Sequence, residues 1–250
     1  MTFPALQPAC WQVGEHGELF APHYGDVYAS RSGAWEQAQT VFIEGCELPE
    51  RAKAVSCICL LETGFGLGVN FLATWAWLRR SGHSTRLRYV AIEKHPFSME
   101  DMQAALLIAI RSAPAMWVPE LQDLAERLIA AWPPLIHGFH TVPLDEQVTL
   151  TLAFGDIRTV MTSVQGCFDA FYLDGFAPDR NPDMWSGATL QRIADIAAPG
   201  ARLSSWCVAG AVRAALSEAG FAVSKRPGFG AKRHRLFACW PKAQIGRAHV

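Results

Sequence analysis

The sequence is poor in charge and has no long hydrophobic run. Of its 250 residues 18% are charged, and 22 Lys and Arg side chains nearly balance 23 Asp and Glu side chains, which leaves a formal net charge of −1. A strongly basic chain would point to nucleic acid, and this balance gives no such overall signature. No apolar run reaches the roughly 18 residues that cross a bilayer, and the segment MTFPA at 1–5 lacks the start of a signal peptide. We therefore expect no membrane partner and a cytoplasmic location.

Paired cysteine motifs are also missing. The seven cysteines are scattered, and none forms the Cys-x-x-Cys pair that structural zinc sites and redox centres use. Cys57 and Cys59 alternate along an apolar segment, which is typical of small buried side chains in a strand. We expect reduced cysteines, no disulfide and no metal, in agreement with a cytoplasmic location.

A glycine-rich segment at 62–68 (ETGFGLG) lacks the marks of two common nucleotide-binding loops. The dinucleotide fingerprint needs glycine at its first, third and sixth positions, but counting from Gly64 or Gly66 the sixth position holds Val69 or Phe71. No Gly-Lys-Ser/Thr follows, which excludes a P-loop. An apolar run precedes the glycines and a helical pattern follows, so the segment predicts a strand, a tight loop and a helix start. The loop lets a nucleotide-like ligand approach closely, or it is a turn without a ligand.

Predicted strands and helices alternate from residue 55 to residue 240. The predicted strands are 55–61, 87–93, 148–153, 168–173, 200–206, 221–225 and 235–240. The predicted helices are 68–80, 97–110, 119–131, 157–164, 183–197 and 209–219. This alternation indicates an α/β fold with a mostly parallel, seven-stranded sheet and helices on both faces.

Three segments lie outside the simple alternation. Residues 97–145 are longer than one crossover needs, so they predict a helical insertion after the second strand. Residues 1–54 predict an irregular N-terminal extension that packs on the 55–240 domain, with a short strand at 40–43. Residues 241–250 form a tail.

Four acidic residues stand at or just beyond the ends of four successive predicted strands: Glu62, Glu93, Asp156 and Asp174. In doubly wound sheets ligands bind at the carboxyl ends of the strands, so these acids predict one pocket edge. Glu93 lies about where an acid meets the hydroxyls of a ribose. Asp156 could accept a hydrogen bond from an adenine amino group, or it could cap the helix that follows.

The glycine segment resembles the first motif of class I S-adenosylmethionine-dependent methyltransferases, whose Rossmann-like fold agrees with the strand pattern. In that family the strand-end acid and the loop contact the amino acid part of the cofactor. The resemblance therefore implies an S-adenosylmethionine site. Its implied cofactor-binding residues are Glu62, Gly64, Phe65, Gly66, Gly68, Asn70, Glu93 and Asp156.

A second resemblance is more specific. The segment LDGFAP at 173–178, followed by NPDMW at 181–185, resembles the methyltransferase domain of the bacterial bifunctional protein for 5-methylaminomethyl-2-thiouridine biosynthesis in tRNA. Segments that also match are DVYAS at 26–30, FGD at 154–156 and GFGAKR at 228–233. Two positions depart from the pattern: Leu67 stands where Thr is more usual, and His234-Arg235 stands where relatives more often carry Glu-Met.

This second resemblance implies an enzyme that methylates the amine of 5-aminomethyl-2-thiouridine at the tRNA wobble position. Asp174 is the implied catalytic residue, which would hold the ammonium and accept its proton; alternatively it caps the loop before Pro178. Phe176 and Pro178 would form an apolar wall, and Tyr28 would close over the pocket. Trp185 could stack on a flipped base or lie in the core.

Positive charge for a tRNA partner is concentrated at 225–235. Lys232 and Arg233 of this segment would contact phosphates, and Phe229 could touch a base; an ordinary solvated loop is the alternative. A second stretch, Arg79 to Arg88, is ambiguous.

Two other functions stay open: a methyltransferase for a small-molecule amine, and a non-catalytic nucleotide-binding module. The last six residues, 245–250, match a translated sequencing adapter and are expected to be non-native. The natural protein would then continue into, or act beside, an FAD-dependent oxidase domain as in bifunctional relatives. No flavin site is expected in this segment.

Overall fold

A computed structural model describes residues 5–28 and 33–241, and its N-terminal part forms a small antiparallel sheet. That sheet has the order β1-β2-β3. Its strands are β1 (Gln12–Val13), β2 (Leu19–Ala21) and β3 (Asp26–Val27). The N-terminal extension packs on the rest of the chain, because Leu19 and Trp35 belong to the same buried cluster as the main sheet.

The larger sheet has eight strands within the described residues, in the order β10-β11-β9-β8-β4-β5-β7-β6. They are β4 (Cys57–Glu62), β5 (Arg86–Glu93), β6 (Gly138–Pro143), β7 (Val148–Phe154), β8 (Phe168–Tyr172), β9 (Ala197–Ser205), β10 (Ala222–Pro227) and β11 (His234–Cys239). The five central strands are parallel, β6 pairs antiparallel with β7, and β11 pairs antiparallel with β9 and β10. The prediction of a mostly parallel sheet is confirmed, with one strand more than predicted.

Helices cover both faces of this sheet, as predicted. They are α1 (Ala34–Gln37), α2 (Leu48–Ala52), α3 (Val69–Ser81), α4 (Met99–Arg111), α5 (Val118–Ala130), α6 (Ile157–Ser163), α7 (Gly187–Asp195) and α8 (Gly210–Glu218). Leu60 packs in the cluster that contains α3, α4 and α5 residues, whereas Leu61 packs in the cluster of α6, α7 and α8 residues. Successive side chains of β4 therefore point to opposite faces and are both buried, as expected for a central parallel strand.

Two predictions for the irregular segments need correction. The strand predicted at 40–43 is part of a π-helical segment, Ala38–Ile43, that continues α1. Val41, Phe42 and Ile43 are all buried, so their apolar run reflects burial on all sides and not a strand period. The insertion at 97–145 contains α4 and α5 but ends in β6, an edge strand that alternates between exposed and half-buried side chains.

Three further expectations concern membrane spans, cysteines and the tail. None of the described helices is long and apolar enough to cross a membrane. All seven cysteines are free, and Cys46 and Cys207 are buried. The proposed non-native residues 245–250 lie outside the described part of the chain, as does all of the tail after Pro241.

Candidate active site

The glycine loop joins β4 to α3 at the carboxyl edge of the sheet. Gly66 and Gly68 have φ angles of 52° and 69°, a left-handed conformation that glycine adopts without steric cost. A Cβ atom on Gly64 would lie 3.0 Å from the carbonyl oxygen of Asp174 and 3.2 Å from Cα of Gly175. The loop therefore runs against the segment after β8, and any side chain at position 64 would press on that segment.

Beside this loop lies a cavity of about 470 Å³, within the size range of small-molecule sites. Ten of the predicted site residues line it: Tyr28, Gly64, Phe65, Gly66, Asn70, Glu93, Asp156, Asp174, Phe176 and Lys232. Four predicted residues are not among its lining residues: Glu62, Gly68, Pro178 and Arg233. The carboxyl edge thus collects most of the predicted residues in one place.

Glu62 is not among the lining residues of the cavity and lies behind its wall, so its predicted contact with a cofactor stays a prediction. It shares the face of Leu60, two residues earlier in β4, and is fully buried. Its carboxylate accepts hydrogen bonds from Asn70 Nδ2 at 2.7 Å and from the Tyr89 hydroxyl at 2.8 Å. Burial and the nearby Asp174 carboxylate raise the pKa of Glu62 well above its usual value. Glu62 therefore acts on the cavity through Asn70.

Gly68 has a packing role in the loop. A Cβ atom there would come within 2.6 Å of the Phe65 ring, and Gly68 is the residue from which α3 starts. Its lack of a side chain lets Phe65 fold over the helix start.

Glu93, at the end of β5, holds the glycine loop. Its Oε2 accepts a hydrogen bond from the backbone N–H of Gly66 at 2.8 Å, and its Oε1 accepts one from the N–H of His95 at 2.8 Å. A carboxylate oxygen can accept more than one hydrogen bond. Glu93 can therefore fix the loop and still bind hydroxyl groups in the cavity.

Asp156 is the N-cap of α6, which is one of the two roles that its sequence position suggested. Its Oδ1 accepts a hydrogen bond from the backbone N–H of Arg158 at 3.0 Å. Its carboxylate also pairs with the Arg158 side chain at 2.9 Å and with Lys94 at 3.0 Å. Hydrogen bonds from Arg158 and Lys94 hold the pKa of Asp156 well below its usual value. Asp156 lines the cavity as a paired, ionised cap.

Asp174 follows β8, and its carboxylate accepts three hydrogen bonds. Its Oδ1 accepts hydrogen bonds from the Gly175 N–H and from Trp206 Nε1, each at 2.8 Å, and its Oδ2 accepts one from Asn70 Nδ2 at 2.6 Å. Burial raises the pKa of Asp174 above its usual value, although these donors act in the opposite direction. The carboxylate is therefore fixed in orientation and binds a proton more readily than a free aspartate does.

Trp206 is a site residue that the sequence analysis missed. It directly follows β9, lines the cavity and bonds Asp174. The predicted strand 200–206 ends on Trp206, so the rule that ligands bind at the carboxyl ends of parallel strands was a usable signal for it. Trp185 is buried, and its Nε1 donates to the carbonyl oxygen of Phe176 at 2.9 Å, so it occupies the core, as one of its two interpretations had it.

The N-terminal extension closes one side of the cavity. Tyr24 stacks on Phe176 with ring centroids 4.3 Å apart, and Tyr28 meets the same ring at 5.3 Å. Asp26 Oδ2 accepts a hydrogen bond from the backbone N–H of Ala177 at 3.1 Å. Residues 26–28 of the matching segment therefore contact the loop after β8. Residues 29 and 30 lie outside the described part of the chain.

The two basic stretches differ in their partners. Arg79 and Arg80 form ion pairs across to α5, with Asp123 at 2.8 Å and Glu120 at 2.6 Å. These pairs give Arg79 and Arg80 a structural role between α3 and α5, whereas Arg86 and Arg88 lie exposed on β5. Arg233, in the loop between β10 and β11, is exposed.

The strand order, the glycine loop and the acids at the strand ends define a Rossmann-like methyltransferase of class I. Residues 119–241 match the model of a family described as S-adenosyl-L-methionine-dependent methyltransferase. The solved structure of MNMC2 from Aquifex aeolicus has the same fold, with a TM-score of 0.72 and 24% identity over 96% of this chain and 73% of that one.

Curated relatives identify the family more closely. The chain is 45% identical over 246 residues to the tRNA 5-methylaminomethyl-2-thiouridine biosynthesis bifunctional protein MnmC of Azoarcus sp., covering 98% of this chain and 37% of that protein. It is 44% identical over 233 residues to the protein of that name from Burkholderia thailandensis, covering 92% of this chain and 35% of the relative. The chain therefore belongs to the methyltransferase part of the MnmC family and spans about a third of the length of these relatives.

Proposed function

We propose that this chain transfers a methyl group from S-adenosylmethionine to the primary amine of 5-aminomethyl-2-thiouridine at the tRNA wobble position. The product would be 5-methylaminomethyl-2-thiouridine. The observation that carries the proposal is a single one: the oriented carboxylate of Asp174 shares one cavity with the glycine loop of a methyltransferase fold.

The cavity has the features that this cofactor requires. Gly64 and Gly66 place backbone, without side chains, along one wall. Glu93 has hydrogen-bonding capacity left for the two hydroxyls of a ribose, and Asn70 presents an amide between the loop and Asp174. When bound, S-adenosylmethionine supplies a methyl group on a positively charged sulfur, which is already a strong electrophile.

The protein must therefore supply mainly position and proton transfer. An amine near pH 7 is largely an ammonium ion, and it needs to lose a proton before its lone pair can react. Asp174 can hold the ammonium and accept that proton, because its own pKa is raised by burial. Phe176 and Tyr28 provide apolar surface beside it.

A tRNA would approach the same edge of the sheet. The loop between β10 and β11 carries Arg233 on its exposed side and Lys232 on the cavity wall. An exposed arginine next to a cavity-lining residue is suited to a phosphate contact. A tRNA substrate also implies a cytoplasmic enzyme.

The relatives are bifunctional by name and about three times as long as this chain. We propose an FAD-dependent oxidase as the partner that prepares the aminomethyl group, either fused to this chain or separate from it. The described residues of this chain form the methyltransferase unit with its N-terminal extension.

The function is tested with labelled S-adenosylmethionine and tRNA that carries 5-aminomethyl-2-thiouridine. We expect label in the tRNA and 5-methylaminomethyl-2-thiouridine among the digested nucleosides. The unmodified tRNA is the negative control. If folded, cofactor-binding protein methylates the free nucleoside or another small amine but not the tRNA, the small-molecule alternative replaces the proposal. If it methylates neither substrate, the chain is a binding module.

Reversing the charge of Arg233 should weaken tRNA binding. Arg233→Glu is expected to raise the KM for tRNA about tenfold or more, because one charge-assisted contact is lost, and to lower the salt dependence of KM by about one unit of slope. The Kd for S-adenosylmethionine should not change. Arg111→Glu makes the same charge change on the exposed end of α4 and should leave the KM for tRNA unchanged. Equal effects of both variants on KM would indicate a nonspecific response to net charge.

A further inference from the structure

Lys232 and Arg233 are neighbours in the chain but occupy different environments. The ammonium nitrogen of Lys232 lies 3.8 Å from the centre of the Trp206 ring, and Lys232 lines the cavity. Both side chains are exposed to solvent in part, but Arg233 is not a lining residue of the cavity. The lysine charge is therefore directed at the active site, whereas the arginine charge is available at the surface.

Trp206 connects this charge to Asp174. One face of its ring carries the Lys232 ammonium, and its Nε1 donates to Asp174 Oδ1 at 2.8 Å. The ring also meets buried Trp185 edge to face, with centroids 6.0 Å apart. The hydrogen bond to Asp174 and the packing against Trp185 fix the orientation of the indole. The Lys232 ammonium and the Asp174 carboxylate therefore lie on the same wall of the cavity.

This arrangement matters because of the protonation state of the substrate amine. An isolated carboxylate beside an ammonium ion favours the charged form and raises the pKa of the amine. Asp174 alone would therefore bind the substrate well and keep it in its unreactive form. A positive charge on the same wall acts in the opposite direction and favours the free amine.

We propose, resting on the function proposed above, that Lys232 is a positioning residue that offsets the charge of Asp174, so that the substrate amine is bound as its free base. The proton that the ammonium loses goes to Asp174 or to water, and the nitrogen keeps the electron pair. The aromatic ring holds the lysine in place without neutralising its charge.

The other charged groups around this pair agree with such a role. Asp174, Cys207 and Asp26 face Lys232 and favour its charged form, whereas withdrawal from water at the ring lowers the pKa of Lys232. On the far side of Asp174 lies Glu62, whose pKa is raised well above its usual value by burial. Lys232 is therefore a positive charge placed among Asp174 and Asp26 on this wall, whereas Lys94, the other lining lysine, pairs with Asp156.

The test measures kcat for methyl transfer against pH with saturating tRNA and cofactor. In this profile the ascending limb is the pH range in which kcat rises as the substrate amine loses its proton. Removing the charge in Lys232→Met should move the apparent pKa of that limb upward by about one unit, as a unit charge nearby does at an effective dielectric of about 20 to 40. At a pH below that limb the rate should fall about tenfold and recover as the pH rises. Lys232→Arg keeps the charge and should keep the limb where the wild-type enzyme has it. Lys53→Met, which removes an exposed lysine at the opposite edge of the sheet, is the matched control.

Each outcome decides the proposal. An upward shift in Lys232→Met, with Lys232→Arg and Lys53→Met at the wild-type position, supports it. An unshifted limb in Lys232→Met, or an equal shift in Lys232→Arg, overturns it and leaves the proposed methyl transfer intact. Wild-type enzyme that binds cofactor but transfers no methyl group overturns the proposed function and this inference together.

Discussion

Replacing Asp174 with asparagine should lower kcat for methyl transfer about 100- to 10,000-fold, the usual effect of removing a general acid–base group. Asparagine keeps the size of the side chain and can still accept from the Gly175 N–H and from Trp206 Nε1. It cannot accept a proton from the substrate ammonium, and it offers no negative charge to hold it. Initial rates with labelled cofactor and saturating tRNA measure the effect.

The Asp174 variant should remain folded and able to bind cofactor. The raised pKa of Asp174 means that the carboxyl group binds its proton more tightly in the folded chain than in the unfolded one. Its ionisation therefore lowers the free energy of unfolding as the pH rises through that raised pKa, and asparagine removes this cost. Thermal unfolding and calorimetric cofactor binding check both points.

Asp179→Asn is a matched control for the Asp174 variant. Asp179 lies five positions later, is largely exposed and pairs only loosely with Arg180 at 3.6 Å, so its change should leave kcat in place. If the kcat of Asp174→Asn equals that of the wild-type enzyme, Asp174 only caps the loop before Pro178.

Replacing Glu93 with alanine should raise the Kd for S-adenosylmethionine roughly 10- to 150-fold. The loss of one charge-assisted hydrogen bond costs about 1.5–3 kcal/mol, which corresponds to that range of affinity. The structure adds a second reason, because the N–H groups of Gly66 and His95 would lose their acceptor. Isothermal calorimetry with the purified chain measures Kd directly.

Two comparisons separate the roles of Glu93. Glu93→Gln retains an acceptor for one backbone N–H but loses the charge, so its Kd should lie between those of wild type and the alanine variant. Glu126→Ala removes an exposed acid of α5 and should leave Kd unchanged. Calorimetric Kd values that are the same for wild type and Glu93→Ala would exclude Glu93 from the cofactor site.

Most of the fold was predictable from the sequence because its elements are long and regular. The central strands are buried on both faces, so they stand out as apolar runs, and glycines mark several of the turns between elements. The strand β6 was missed because it is an edge strand whose side chains alternate between half-buried and exposed, so it contains no apolar run. The segment at 40–43 was misassigned because side chains buried on all sides carry no period that separates a helix from a strand.

The sequence by itself determined the class of fold, the edge of the sheet where the candidate site lies, and the placement of Glu93 and Asp174 at two strand ends. These follow from local patterns and from the rule that parallel strands end at a common edge. Only the tertiary structure decided which way the side chains point. It buried Glu62, made Asp156 the cap of α6, and placed Trp206 against Asp174 and Lys232 over the Trp206 ring. The physical reason is that orientation at a strand end depends on contacts between segments far apart in the chain, which no local period records.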